Sequence, residues 1–382
     1  MTLKLGNFIG FETGGLEELS YITGSPSVVT DIVRTGNYSL KKGASTAVEF
    51  LAHIDMVEDQ NIIIGFAFRI DTYPSSQSVQ ILRALEQGST SHSSWKMFLD
   101  TYGKLVFEDA VSGQIGHTPQ VLTVGQWYFV EIYWQHSNSG SFVVNIDEDL
   151  QISASNVDLH TGYDWDNTAE FQFYPYSETL TNWIDDIYCM SGATGASNFL
   201  GPRTEVLGAF QNTVEDATDQ GTTLDQGTWA DTGDTPGSDE GTPAGYTGNA
   251  ESGYTICDEG DRSGPAALIT GTAKGAKWIH RLSRGNGSGT THSKVYGKNT
   301  STTSETKELS SSWENFFTIS EDTTYIPNAN TDKFAQGFAK SAGGRDIYCA
   351  EMWAFLLHVA PDPSTLDLSD MDFPDQNYYL GP

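Results

Sequence analysis

The sequence predicts an all-β chain folded as two β-sandwich domains, and three observations carry that prediction. Apolar residues recur in short alternating or fully apolar runs between turn signals, the pattern of strands and not of amphipathic helices. Strand formers are abundant: aromatics make up 12% of the residues, and the 39 glycines follow no Gly-X-Y period, so they mark turns. At 382 residues the chain exceeds one ordinary domain and suits two. Each could bury about two-thirds of its unfolded surface without staples.

The strands can be placed in order. Residues 27–32 and 46–51 read as the first. Residues 62–70 open as an apolar run and then alternate, as a central strand covered on both faces does. Residues 80–86, 95–99, 104–108 and 127–135 follow at near-regular spacing. In the last of these both faces are largely apolar, which places it in mid-sheet. Ser139-Gly140 turns the chain into a hairpin partner at 141–147, and residues 170–174 and 183–190 complete a first domain over 1–200. From 204 to 264 the composition shifts to Asp, Glu, Gly and Thr, with Arg262 the one base, so 201–264 reads as an acidic, loop-rich linking segment. Strand pattern returns at 266–270, 276–283, 313–319 and 346–359, a second sandwich over 265–360. An extended tail, 361–382, ends in Tyr378 and Tyr379.

Fifty acidic residues against twenty basic ones, a net charge of −30, argue against a nucleic-acid partner, because binding phosphate needs a basic face. The balance fits a solvated surface or carboxylates gathered for divalent cations. No apolar run reaches about 18 residues, so no membrane-inserted helix is expected. The first residues lack the apolar stretch of a secretory signal. Cys189, Cys257 and Cys349 show no CxxC spacing, which favours buried thiols over zinc, a disulfide framework or a Cys189–Cys349 bridge. The bases reappear together at Lys274, Lys277, Arg281, Arg284, Lys294 and Lys298.

Several segments resemble the concanavalin A-like, laminin-G-like jelly rolls. Phe11-Glu12-Thr13 and the run from Arg34 to Leu40 are similar to the opening of those domains. Trp127 to Glu131 followed by Gly140 to Asp147 resembles their central hairpin, and Trp183 to Tyr188, with Asp185-Asp186, resembles their closing strand. Gly195 to Pro202 and Ile326 to Phe338 are similar to elements of phage virion proteins that carry such a domain. The resemblance implies a structural protein of a phage particle (tail, baseplate, fibre adaptor or capsid decoration), exposed on the virion and in contact with other virion proteins. The alternative it leaves is an extracellular lectin, calcium-dependent or not.

Catalysis is not expected from these residues. A retaining glycosidase of this fold needs carboxylates on alternate positions of one strand, about 5–5.5 Å apart. Asn145 stands where the nucleophile belongs, and adjacent Asp185 and Asp186 point to opposite faces of a regular strand. The eight histidines form no HxH or HExxH, and no Gly-x-Ser-x-Gly elbow occurs. No cofactor is called for beyond calcium, for which Asp164, Asp166 and Asp185 are the candidate oxygen ligands. The plain reading of Asp185-Asp186 has one Asp in solvent or on loop amides while Ile184 and Ile187 face the core. Tyr163, Trp165 and Tyr174 are candidates for stacking on a host glycan, against core packing as the ordinary role of an aromatic. Lys294, Lys298, Tyr378 and Tyr379 are candidates for a homo-oligomer interface, most simply a trimer, in which the basic cluster meets the acidic 204–264 region of a neighbour. Against this stands a solvated basic face.

Overall fold

The computed structural model describes residues 3–16, 18–19, 21–22, 26–42, 50–55, 61–86, 93–109, 113–160, 168–173, 180–209, 214–219, 244–246, 255–259, 272–284, 291–296, 305–310, 314–320, 335–342 and 347–360. Apart from one 3-10 turn at Ala196–Asn198, every regular element among them is a strand, as the periodicity predicts.

The first sandwich contains β1 (Lys4–Ile9), β2 (Tyr21–Ile22), β3 (Ser27–Val29), β4 (Ser39–Lys42), β5 (Phe50–Asp55), β6 (Asn61–Ile70), β7 (Val79–Glu86) and β8 (Ser93–Leu99). It continues through β9 (Leu105–Asp109), β10 (Gln114–His117), β11 (Trp127–Gln135), β12 (Gly140–Ile146), β13 (Asp149–Val157), β14 (Thr168–Phe173) and β15 (Asn182–Ser191). One antiparallel sheet has the order β13-β12-β11-β6-β15-β4-β3, with β1 added on β15; its partner has the order β10-β9-β8-β7-β14-β5-β2. Between them lies one core, centred on Trp95, which meets Trp134 edge-on with ring centroids 5.4 Å apart and Phe142 at 5.8 Å. Such aromatic pairs add about 0.5–1.5 kcal/mol beyond the area they bury.

The predicted central strands hold their places, β6 between β11 and β15, and β11 between β12 and β6. Other details differ. The strand expected at 141–147 stops at Ile146, because Asp147 and Glu148 both have positive φ (50° and 71°) and make the two-residue turn into β13. The strand expected at 27–32 shortens to Ser27–Val29. β13 escaped the periodicity reading because it is a polar sheet-edge strand with one buried residue, Ile152.

The second half comprises β16 (Thr204–Ala209), β17 (Val214–Asp219), β18 (Ala244–Tyr246), β19 (Thr255–Glu259), β20 (Thr272–Arg284), β21 (Thr291–Tyr296), β22 (Glu305–Leu309), β23 (Glu314–Ser320), β24 (Ala335–Ala342) and β25 (Ile347–Val359). Its sheets run β16-β25-β20-β23, with β18 also on β25, and β17-β19-β24-β21-β22. The acidic stretch read as a linker thus contributes β16, β17, β18 and β19 to these sheets. Pairing is a backbone property, and acidic composition does not abolish it. Residues 231–241, 266–270 and 361–382 fall outside the described residues.

The two halves share a second apolar core. Along β6, Ile62, Ile64, Phe66 and Phe68 face the first sandwich interior, while Ile63 and Ala67 face the other way and are equally buried. They join Phe8, Phe129, Tyr133, Tyr188 and Met190 against Val206, Ile279, Phe355 and Leu357 of the second half. Lys277, part of the basic cluster read as a solvated face, is instead fully buried in this seam. Its ammonium pairs with Glu18 at 2.9 Å and donates to the Phe8 carbonyl.

The resemblance-bearing residues line the same seam. Asp185 and Asp186 sit at a bulge in β15, where pairing with β6 shifts register between Asp185 and Tyr188 and Asp186 takes φ 48°. The bulge lets Ile184 and Ile187 both face the core, as expected, but it puts neither carboxylate in solvent: both are fully buried. Asp185 accepts from the amides of Arg34 (3.1 Å) and Asp186 (2.9 Å). Asp186 takes the Arg34 guanidinium (2.6 Å), the Thr35 hydroxyl (2.6 Å) and the Val206 amide (2.8 Å). Arg34 also donates to the carbonyls of Thr204 (2.7 Å) and Pro202. Beside this cluster Glu12 accepts from the amides of Asn37 and Tyr38, across a turn at Gly36. That turn has φ 63°, and a Cβ there would lie 2.2 Å from the Glu12 carboxylate, so only glycine fits. Glu131, the last residue of the Trp127 segment, accepts from the Tyr188 hydroxyl and from the amides of Leu200 (2.7 Å) and Gly201 (3.0 Å). Burial pushes the ionisation of Glu131, Asp185 and Asp186 upward.

Two outcomes follow for stability. Lys277→Met alone should cost about 3 kcal/mol in urea unfolding, because it strands a buried Glu18 charge, whereas Lys277→Met with Glu18→Leu should recover most of that loss. Burial moves Glu12 from its ordinary 4.5 up to about 8. The folded state therefore holds a proton that the unfolded state releases, and this contribution is complete below the ordinary value and lost as pH rises to about 8. Thermal unfolding from pH 5 to pH 8 should show a shallower fall in Glu12→Gln than in the parent, and equal slopes would show that Glu12 is not the group involved.

Candidate functional site

Burial of one sheet under the second half leaves the outer face of β10-β9-β8-β7-β14-β5-β2 as the broad face of the first sandwich to search. Strand alternation decides what it displays. In β8, Trp95, Met97 and Leu99 face the core, so Lys96 and Phe98 face outward; in β9, Leu105 and Phe107 face in, so Val106 and Glu108 face out. Cross-strand register lines these residues up. Gln172 lies opposite Arg83, Arg83 opposite Lys96, Lys96 opposite Glu108, and Glu108 opposite Gln114. The adjacent row runs Gln80, Phe98, Val106, His117.

Five strands at about 4.8 Å spacing make this polar ladder about 19 Å long. Arg83, Lys96, Phe98, Val106 and Glu108 are half-buried, Gln114 and His117 exposed, and Gln172 buried. The Arg83 Nε donates to the Gln172 Oε1 at 2.5 Å, which fixes the guanidinium on the floor of the face. Arg83 and Lys96 are like charges on directly opposed positions, an arrangement that costs stability in a sheet. Glu108, directly opposite Lys96 on its other side, places a carboxylate in the same row. Chemically, the ladder offers cationic donors, one carboxylate and amide groups beside an aromatic ring, a set that suits a hydroxyl-rich ligand bearing acceptor oxygens.

The residues singled out from sequence are placed differently. Tyr163, Asp164, Trp165, Asp166, Tyr174, Lys298, Tyr378 and Tyr379 lie outside the described residues. Lys294 falls in β21, opposite Thr306 and Ala339. Asp185 is within the seam, where amide donors face its carboxylate. Among the described residues no group of three or more His, Cys, Asp or Glu is placed to hold a metal ion, and no helix is long and apolar enough to cross a membrane. Cys189 is a fully buried thiol whose ionisation burial pushes well up. The ladder was missed because its members come from five separated segments; the alternation within β8 and β9 does say which residues point outward.

No protein-family model matches the sequence, and no curated protein matches it. Solved structures resemble the fold. An endo-β-1,4-glucuronan lyase from the fungus Trichoderma reesei is 16% identical, with a TM-score of 0.38, over 49% of this chain and 96% of that one. The carbohydrate esterase vb_24B_21 from the Shiga toxin-encoding bacteriophage phi24B is 13% identical, with a TM-score of 0.39, over 50% and 100%. The cellulose induced protein Cip1 is 15% identical, with a TM-score of 0.34, over 48% and 96%. These likenesses concern fold. The expectation that the chain does not catalyse is corrected: the solved structures that resemble it include a lyase and an esterase. The missing carboxylate pair argues only against retaining glycoside hydrolysis, and neither elimination nor ester cleavage depends on that pair. The fold class expected from the sequence, an all-β chain of antiparallel β-sandwich sheets, is the one found among the described residues.

Proposed function

We propose that the outer face of the seven-stranded sheet binds a saccharide chain, and that the protein recognises carbohydrate from a phage particle on which its second half serves assembly. The carrying observation is the ladder Gln172, Arg83, Lys96, Glu108, Gln114, with Phe98 in the next row. Its cations and amides match sugar hydroxyl and carboxylate oxygens, and Phe98 offers a ring to the apolar face of a sugar. Placement on a virion rests on the resemblance of the 195–202 and 326–338 segments, and a homo-oligomer remains part of that proposal.

The test is binding of the full chain to soluble alginate, glucuronan and cellulose-derived oligosaccharides by affinity electrophoresis and calorimetry. One or more should bind, and Arg83→Ala and Lys96→Ala should each weaken binding about tenfold or more, a loss of about 1.4 kcal/mol, with circular dichroism showing that both variants remain folded. Binding that is absent across the panel, or indifferent to both substitutions, would reject this face.

A further inference from the structure

Four of the five large apolar side chains exposed among the described residues sit at one end of the first sandwich. They are Tyr102 (76% exposed), Val121 (45%), Val124 (40%) and Tyr73 (36%). They belong to three loops: the one after β6, the β8–β9 turn, and the β10–β11 connection. Exposed apolar groups at loop tips are ordinary when the loops are loose, and these loops are not.

The β8–β9 turn is closed by the Asp100 carboxylate, which accepts from the amides of Tyr102 and Lys104, both at 2.8 Å. Backbone bonds between Asp100 and Lys104 (2.9 Å) and from Gly103 to Asp100 (3.2 Å) complete it. Gly103 has φ 82°, and a Cβ there would lie 2.5 Å from the Tyr73 ring, so the turn and that ring are in close contact. The Leu122 amide donates to the Gly103 carbonyl at 2.8 Å, and the Tyr73 hydroxyl donates to the Leu122 carbonyl at 2.9 Å. The Gly125 amide donates to the Ile70 carbonyl at 2.9 Å, and Leu122 itself is fully buried beneath. Three loops are thus tied into one platform that holds its aromatic and aliphatic groups in water, the arrangement expected of a preorganised binding surface.

The platform adjoins the polar ladder. Phe98 and Val106, both on the outward row, are the last and first outward strand positions on either side of the 100–104 turn. Area argues against a protein partner. A stable protein contact needs about 800 Å² per side. A single aromatic ring supplies at most about 250 Å². Among the described residues, the exposed apolar side chains at this end, two rings (one of them only about a third exposed) and two valines, fall short of that. Stacking of one or two sugar rings on Tyr102 and Tyr73 fits the available surface.

We infer that the Tyr102–Tyr73 platform is an aromatic end-subsite, which stacks the terminal sugar of a saccharide chain whose remaining units lie along the ladder. This deepens the proposed function and rests on it. The test uses the full chain and whichever of the alginate, glucuronan or cellulose-derived oligosaccharides binds. Tyr102→Ala should weaken binding of the longer oligosaccharides at least tenfold, Tyr102→Phe should bind like the parent, and both should melt like the parent. Equal binding by Tyr102→Ala, with Arg83→Ala impaired, would overturn the end-subsite and leave the ladder standing. A complete absence of binding by the parent would overturn both. A change in solution mass on Tyr102→Ala, read by light scattering without loss of saccharide affinity, would reassign the platform to self-association.

Discussion

Everything else in this architecture depends on how the outer face of the eight-stranded sheet is kept dry. Ile63, Ala67, Phe129, Tyr133 and Tyr188 point away from the first sandwich interior, and the sheet of the second half covers them. That burial supplies the hydrophobic gain. It also traps polar groups: Glu12, Glu18, Glu131, Asp185, Asp186 and Lys277 are all withdrawn from water. A buried charge without partners is far costlier than the apolar contact is favourable. The seam persists because each of these groups meets a donor or an opposite charge, and because several carboxyls carry raised ionisation. Arg34 is the hub, since one guanidinium holds Asp186 and the backbone carbonyls of Thr204 and Pro202 across the join.

This constraint determines which broad face of the first sandwich is left uncovered. With one sheet occupied by the seam, the broad surface left to the first sandwich is the outer side of the other sheet. Packing from both halves stiffens the scaffold behind it, and strand register sets the spacing of the groups it presents. A ladder built on paired strands is more precise than one built on loops, because neither partner can shift without breaking backbone bonds.

The residues most legible as a pattern turned out to be structural. Glu12, Gly36, Glu131 and the Asp185-Asp186 pair carried the resemblance to jelly-roll domains, and all of them lie in the seam. Read singly, Asp185 suggested a cation ligand, because a carboxylate in a loop-rich protein has that chemistry. The other reading, a carboxylate on loop amides, matches the Arg34 and Asp186 amides that donate to it. Lys277 departs from its reading: a lysine in a basic run reads as solvated until its ion pair with Glu18, 259 residues away, is visible. The ladder residues went unremarked for the opposite reason, as each is an unexceptional polar residue on an alternating strand.

By itself the sequence determined the fold class, the central strands and the double burial of β6, because these follow from periodicity and side-chain chemistry within ten residues. It also determined that β11 and β12 form a hairpin, although the turn falls at 137–139 and Gly140 opens the strand, where a Cβ would lie 2.0 Å from the Gln135 carbonyl oxygen. The tertiary structure alone decided the bulge at Asp186, the role of Arg34 as the hub of the seam, and the alignment of Arg83 with Lys96. Those depend on register between strands far apart in the chain, and register is set by the packing of whole sheets and not by any single segment.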